Sequence, residues 1–229
     1  EEYFMAEHVL NYFSNFSKKS NSHGISSSDF GMTEGFSTAF ANTQTITITP
    51  PSVYAGGPNA QLHVRYGTNI GAHQQLITLN DQPLLTDEFT DFQVRQLEFE
   101  VENGLLSSPM ALKFQGLAAS TDRQHIANVI LKYPAAYNFN NQPRYYFELP
   151  ASNQVRYLEI ANFNIGGGMP IFFDLTHRTR LVANLENGLV KIALPPSNEP
   201  VAYYLANDAT GIRTISTVLP TTFINYFNL

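Results

Sequence analysis

Histidine and serine patterns give the first test for catalysis or metal binding. The six histidines of this 229-residue chain form no HExxH pattern, which would place two imidazoles on one helix face, and no pair at another ligand spacing. No GxSxG elbow is present to expose an activated serine beside backbone N–H donors. The chain has no cysteine, which excludes thiol nucleophiles, disulfides and cysteine-type zinc sites. These patterns predict no catalytic centre within the chain.

Three carboxylates occupy alternate positions at Glu98, Glu100 and Glu102. On a strand they would lie on one face, roughly 6 to 7 Å apart, and inverting glycosidases use two carboxylates at such separations. An acidic, solvated strand face is the simpler interpretation. A glycosidase is therefore kept as a third hypothesis for function.

A second acidic group, at Asp87, Glu88 and Asp91, is predicted to lie in a loop. Carboxylate oxygens in a loop can bind calcium, although the spacing is not that of an EF-hand. We expect no cofactor other than a calcium ion at this group.

Exposed tyrosines could bind sugar rings, since the chain has 12 Tyr and no Trp. The doublets Tyr145-Tyr146 and Tyr203-Tyr204 each lie in a predicted strand, where alternate side chains face opposite sides. One ring of each doublet should face the core and one the solvent. We take Tyr146 and Tyr204 as the candidate ligand-binding residues.

Composition limits the class of protein further. The net charge is −6 with 13 Lys and Arg, which argues against nucleic acid, whose affinity comes from clustered basic groups. Only 14% of residues are charged, which is typical of exported β proteins. No apolar run approaches the ~20 residues of a membrane-spanning helix. Because the chain starts without a leader and its last residues, 223–229, are largely apolar, we expect it to be a piece of a longer polypeptide.

Period-2 alternation dominates the pattern and predicts an all-β fold. The clearest segment is Val94–Val101, where Leu97, Phe99 and Val101 alternate with polar residues. Strands at this spacing without helical periodicity are typical of a β-sandwich or jelly roll. Further strands are predicted at 43–49, 62–66, 74–79, 110–114, 126–133, 145–149, 157–161, 171–174, 180–185, 189–194 and 201–206.

A segment rich in proline and asparagine, 133–143, interrupts the strands and suggests a domain boundary. We predict an N-terminal lead and loop at 1–28, a jelly-roll-like β-sandwich domain at 29–137 and a second, smaller β domain at 138–229.

Four short motifs follow one another in the order that is typical of a known family. They are Leu-Lys-Tyr-Pro at 131–134, Tyr-Phe-Glu-Leu at 146–149, Arg-Tyr-Leu-Glu-Ile at 156–160 and Phe-Phe-Asp-Leu-Thr at 172–176. This order resembles the region ahead of the catalytic domain in gingipain-type cysteine peptidases, especially the PorU-like sortases of the type IX secretion system of Bacteroidetes.

The resemblance implies a function without implying catalytic residues. In that family the nucleophilic cysteine and its histidine lie in a caspase-like domain downstream, so none is transferred to this chain. Only Asp174 and Thr176 match the family's last motif, and we expect them to cap a turn.

We therefore expect a non-catalytic accessory region of a peptidase that is exported to the cell surface, the outer membrane or the medium. Its partners would be the downstream catalytic domain and secretion-system proteins. The alternative is a stand-alone carbohydrate-binding or adhesin module whose partners are glycans.

Overall fold

The computed structural model describes residues 1–17 and 35–210, together with 215 and 217. Apart from one 3-10 turn at Asn103–Leu105, every regular element of the described residues is a β-strand. The prediction of an all-β fold is confirmed. Residues 18–28 of the predicted N-terminal lead and loop lie outside the described residues, as does the whole apolar segment at 223–229.

The first ten strands build one eight-stranded sandwich and a small accessory ladder. Their bounds are β1 (Tyr3–Asn11), β2 (Asn15–Ser17), β3 (Gly35–Ser37), β4 (Thr43–Ile48), β5 (Ala60–Thr68), β6 (Ala72–Leu79), β7 (Gln82–Thr90), β8 (Val94–Val101), β9 (Met110–Gly116) and β10 (Gln124–Ala136).

These strands follow the jelly-roll order. Sheet 1 runs β1-β10-β5-β8, sheet 2 runs β4-β9-β6-β7, and β2 pairs with β3 outside the sandwich. Without the β2–β3 ladder, the first and last strands pair in sheet 1, and the second and second-last pair in sheet 2. Such nested pairing of strands across two sheets is the double Greek key of a jelly roll.

The remaining strands form a second pair of sheets. Their bounds are β11 (Asn138–Gln142), β12 (Arg144–Leu149), β13 (Arg156–Phe163), β14 (Pro170–Asp174), β15 (Thr179–Leu181), β16 (Asn184–Glu186), β17 (Leu189–Leu194) and β18 (Val201–Asn207). Sheet 3 runs β11-β13-β17-β16 and sheet 4 runs β12-β18-β14-β15. The strands change from the first pair of sheets to the second at Tyr137, within the predicted break, while the division into domains stays a prediction.

The strand predicted at 180–185 is divided between two short strands, β15 and β16. The segment 180–185 was expected to form a single strand, but β15 pairs with β14 in sheet 4 whereas β16 pairs with β17 in sheet 3. The chain crosses between the sheets at 182–183. A two-residue hairpin turn joins β16 to β17. Its residues, Asn187 and Gly188, both have positive φ angles, as this turn requires.

The two sandwiches share a hydrophobic core. Phe4 belongs to β1 of the jelly roll, but its ring packs against aromatic rings that follow β10. Ring centroids lie 5.1 Å from Tyr137, 5.4 Å from Phe147 and 6.1 Å from Tyr145. Phe4 is therefore the aromatic contact through which β1 joins the second pair of sheets.

Truncation of this ring tests its contribution to stability. Phe4 is 3% exposed, and we expect Phe4→Ala to lower the free energy of unfolding by about 3 to 5 kcal/mol, as is typical of a buried Phe. Urea denaturation followed by tyrosine fluorescence measures the change.

Phe13→Ala is the matched control, because that ring is 70% exposed and its loss should cost less than about 1 kcal/mol. Equal losses for the two variants would contradict the role given to Phe4.

Candidate functional site

The two candidate tyrosines lie side by side on the outer face of sheet 4. In the register of the sheet, Tyr146 of β12 is opposite Tyr204 of β18, which in turn is opposite Phe173 of β14. Their neighbours in the doublets point inward: Tyr203 is buried, and Tyr145 stacks on Phe139 at 3.9 Å. The structure thus brings Tyr146 and Tyr204 together in a cross-strand aromatic row with Phe173.

Two negatively charged side chains, Glu148 and Glu7, lie near Tyr146. Its ring is 52% exposed, and its hydroxyl donates a hydrogen bond to Glu148, two residues along the same strand. This hydrogen bond, slight burial, and the negative charges of Glu148 and Glu7 raise the pKa of Tyr146. Glu7 belongs to β1, so carboxylates from two different sheets converge near one phenol.

A groove with both charged and apolar lining residues crosses the outer face of sheet 1. It has a volume of about 320 Å³ and is lined by Glu7, His63, Arg65, Glu98 and Lys132 among others. Nδ1 of His63 lies 3.2 Å from a carboxylate oxygen of Glu98. On the other side of the groove, Glu7 of β1 lies opposite Lys132 of β10, so these neighbouring strands present opposite charges.

A second cavity adjoins the first and extends it to the second pair of sheets. This slot, of about 630 Å³, lies between β1 and β12, and Glu7 and Lys132 line it as well as the groove. Tyr146 and Glu148 form its far side. Groove and slot therefore form one continuous surface from sheet 1 to the aromatic row.

The carboxylates considered for a glycosidase lie on an open edge. Glu98 and Glu100 are on the exposed face of β8, which is an edge strand of sheet 1, and Glu102 follows its end. The side chain of Glu98 is 80% exposed. Exposed carboxylates on an edge strand are typical of a solvated strand face.

The acidic group proposed for calcium is not in a loop, which corrects that expectation. Asp87 and Glu88 are consecutive residues of β7, so their side chains face opposite sides of sheet 2, and Asp91 follows the strand's end. Glu88 accepts a hydrogen bond from Gln74 at 2.7 Å. The structure does not bring the three carboxylates together, and within 1–17 and 35–210 no three acidic or histidine side chains could hold a metal ion.

Asp87 instead takes part in a buried ion pair. Arg95 binds its carboxylate through two N–H groups at 2.7 and 2.6 Å, and Tyr66 donates a hydrogen bond at 2.6 Å. Burial alone would raise the pKa of Asp87, but the hydrogen bonds from Arg95 and Tyr66 outweigh burial and lower it. Burial and the bond to Asp87 raise the pKa of Tyr66. Asp87 is therefore a structural residue, which lies in the interior of the sandwich.

Asp174 and Thr176 form local contacts at the end of β14. Asp174 accepts hydrogen bonds from the backbone N–H of His177 and from its Nδ1, each at 2.8 Å. Thr176 accepts instead from the N–H of Ala202, across the sheet. The Nε2 of His177 lies 3.6 Å from Glu199. Asp174 therefore caps this turn, whereas Thr176 contacts the neighbouring strand.

Sequence reasoning missed a buried carboxylate that organises one end of the jelly roll. Asp122 accepts hydrogen bonds from Nδ1 of His73 at 2.7 Å, from Gln75 and from the backbone N–H groups of Gln74 and Ala118. Nε2 of His73 faces the carbonyl oxygen of Asn69 at 2.8 Å. Both ring nitrogens of His73 are therefore within hydrogen-bond distance of an oxygen atom. No local motif marks this pair, whose members are 49 residues apart.

The fold is similar to part of one solved protein. The crystal structure of dimeric latent PorU from Porphyromonas gingivalis superposes on 92% of this chain with a TM-score of 0.65. The sequence identity is 10%, so the likeness is one of fold, and this chain spans 21% of that protein's length. No protein-family model matches the sequence, and no curated protein matches it at a significant level.

Two carbohydrate-binding modules overlap with smaller portions of the chain. A CBM36 domain of a multidomain xylanase from the hindgut metagenome of Trinervitermes trinervoides covers 55% of this chain and 96% of its own, at 11% identity. A family 35 module from an environmental isolate covers 56% and 98%, at 15% identity. Both TM-scores are 0.34, which does not establish a common fold.

One buried histidine predicts how stability depends on pH. Neither nitrogen of His125 has a hydrogen-bond partner in the part of the chain that the structure describes. Its ring packs on Phe40 at 4.4 Å, and a side chain at Gly67 would come within 2.3 Å of it. Burial lowers the pKa of His125 from 6.5 to about 4. Between these pH values the unfolded chain binds a proton that the folded chain does not, so stability falls as pH falls.

We expect the free energy of unfolding to drop by about 2 kcal/mol between pH 7 and pH 4.5 on account of this one group. His125→Leu should remove that part of the drop, as measured by urea denaturation at the two pH values. His63→Gln, at a more exposed ring, is the control and should keep it. An unchanged pH dependence in His125→Leu would show that other groups cause it.

Proposed function

We propose that this chain is a non-catalytic β region of a larger, exported cysteine peptidase of the gingipain type, related to the PorU-like sortases. Its role would be to position or shield a catalytic domain elsewhere in the same polypeptide and to engage secretion partners. The observation that carries the proposal is the superposition on PorU, which extends over 92% of the chain and so includes both sandwiches.

Two further observations support this proposal. The order of short motifs between 131 and 176 resembles the region ahead of the catalytic domain in that family. The chain contains no cysteine, so the nucleophile of such a peptidase would have to come from another part of the polypeptide.

Of the described residues, none forms a helix that could cross a membrane.

Newly synthesised protein in the source organism tests the proposal. An antibody against this chain should precipitate, after a short radioactive pulse, a polypeptide several times longer than 229 residues. The precipitate should also react with a biotin-tagged, active-site-directed inhibitor of cysteine peptidases. Pre-incubation of the antibody with the purified chain is the control for specificity. A pulse-labelled product no longer than this chain, without inhibitor labelling, would refute the proposal.

A second function, glycan binding, is favoured by one observation: Tyr146, Tyr204 and Phe173 are cross-strand neighbours on one outer face. Sugar rings pack on flat, exposed aromatic groups. The groove and slot beside this row carry hydrogen-bond donors and acceptors among their lining residues, as a carbohydrate requires.

A glycan array of the purified chain tests this function. If a glycan binds, Tyr146→Ala and Tyr204→Ala should each weaken its binding about fivefold, which corresponds to the loss of roughly 1 kcal/mol of ring contact. Tyr157→Ala is the matched control, because Tyr157 is 50% exposed but lies on β13 of sheet 3. Absence of any bound glycan, or equal loss in all three variants, would exclude the aromatic row as the site.

A further inference from the structure

Two sheets end beside each other at the junction of the sandwiches. β1 is an edge strand of sheet 1 and β12 is an edge strand of sheet 4. They flank the slot together, but in the described part of the chain no ladder of backbone hydrogen bonds joins them. Unpaired strand edges present rows of N–H and C=O groups that can pair with another chain.

The register shows which backbone N–H and C=O groups of β1 point away from β10. Residues of an antiparallel strand alternate between those that bond to the partner strand and those that face away. Tyr12 donates to Ala127 in continuation of the β1–β10 register, so the even-numbered residues of β1 bond to β10. The N–H and C=O groups of Met5 and Glu7 therefore face away from β10, and both residues line the slot.

The same argument holds for β12. Asn207 donates to Pro143 in continuation of the β12–β18 register, so the odd-numbered residues of β12 bond to β18. The backbone groups of Tyr146 and Glu148 face away from β18, and both residues line the slot from the opposite side. The slot therefore lies between two sets of backbone donors and acceptors that have no strand partner among the described residues.

The side chains of the slot have a distinct chemistry. Phe4 and Phe147, whose ring centroids are 5.4 Å apart, lie at its inner side. Two carboxylates, Glu7 and Glu148, line it against one ammonium group, Lys132, which is opposite Glu7 in the register. Negative charge therefore exceeds positive charge there, which favours a cationic group in the occupant.

We propose that the slot binds an extended segment of a separate polypeptide, which pairs as an added strand with the free edge of β1, of β12 or of both. Strand addition of this kind derives affinity from main-chain hydrogen bonds and specificity from alternate side chains. The bound segment places a lysine or arginine beside Glu7 and Glu148. This inference does not depend on the proposed role in a peptidase.

The probe is an array of ten-residue peptides with alternating valine and threonine and with arginine, glutamate or serine at one central position. The arginine peptides should bind the intact chain at least about tenfold more tightly than the glutamate peptides. Increasing salt should weaken this preference, because the carboxylates are exposed. N-methylation of alternate residues of the best peptide, in the register that removes its pairing N–H groups, should abolish binding.

Proline substitutions test the edges of the protein itself. Met5→Pro removes a backbone N–H that β10 does not use, and Glu148→Pro removes one that β18 does not use. At least one of the two variants should weaken the best peptide about tenfold or more. Val9→Pro is the matched control for β1: its N–H also faces away from β10, but Val9 does not line the slot. Glu148→Gln separates the carboxylate's contribution from that of the backbone.

Circular dichroism and the unfolding midpoint establish which variants are folded, and the N-methylated peptides test the pairing even where a proline variant is not. Failure of every array peptide to bind would overturn the proposal. Binding that persists with N-methylated peptides, or in both folded proline variants, would do the same. If sedimentation shows self-association that Met5→Pro or Glu148→Pro abolishes, the occupant is a second copy of this chain and not a separate polypeptide.

Discussion

The packing of Phe4 determines how the two sandwiches are joined. β1 is bound to the jelly roll by nine residues of ladder with β10, yet its aromatic ring belongs to the cluster around Phe147. The carboxylate of Glu1 extends this link, because it lies 2.9 Å from Arg156 of β13. The slot, the groove and the aromatic row all adjoin this junction. Their relative positions therefore depend on how β1 is held.

Much of the fold could be predicted from the sequence, because alternation between a buried and an exposed face fixes a strand locally. β8 has the predicted bounds, Val94–Val101, and β9 and β18 differ from theirs by at most two residues. β7 and β11 were missed, since acidic residues in one and asparagines in the other favour turns in isolation. In β7, the neighbouring β6 and the partner Arg95 override that preference.

The candidate site was predictable only in part. The outward direction of Tyr146 follows from its doublet, but its position opposite Tyr204 depends on the register of strands that are 58 residues apart in sequence. The contribution of Glu7 was not visible at all, because β1 is far from β12 along the chain. Likewise, the partners of Asp87 come from other strands, so the residue types alone suggested a calcium ligand where the structure has an ion pair with Arg95. A local sequence pattern predicts on which face of a strand a side chain lies. Only the assembled sheets show which side chains are neighbours.

The geometry of β1 also determines how the molecule would respond to mechanical load. Tyr3 lies opposite Ala136, where β10 leads into the second pair of sheets. A pulling force applied between these two points would open the β1–β10 ladder one pair of hydrogen bonds at a time, as a zip opens, and not shear all pairs together. The Phe4 ring and the ion pair of Glu1 with Arg156 lie at the end where such opening would begin. They would therefore act as a clasp that bears the load before the ladder does.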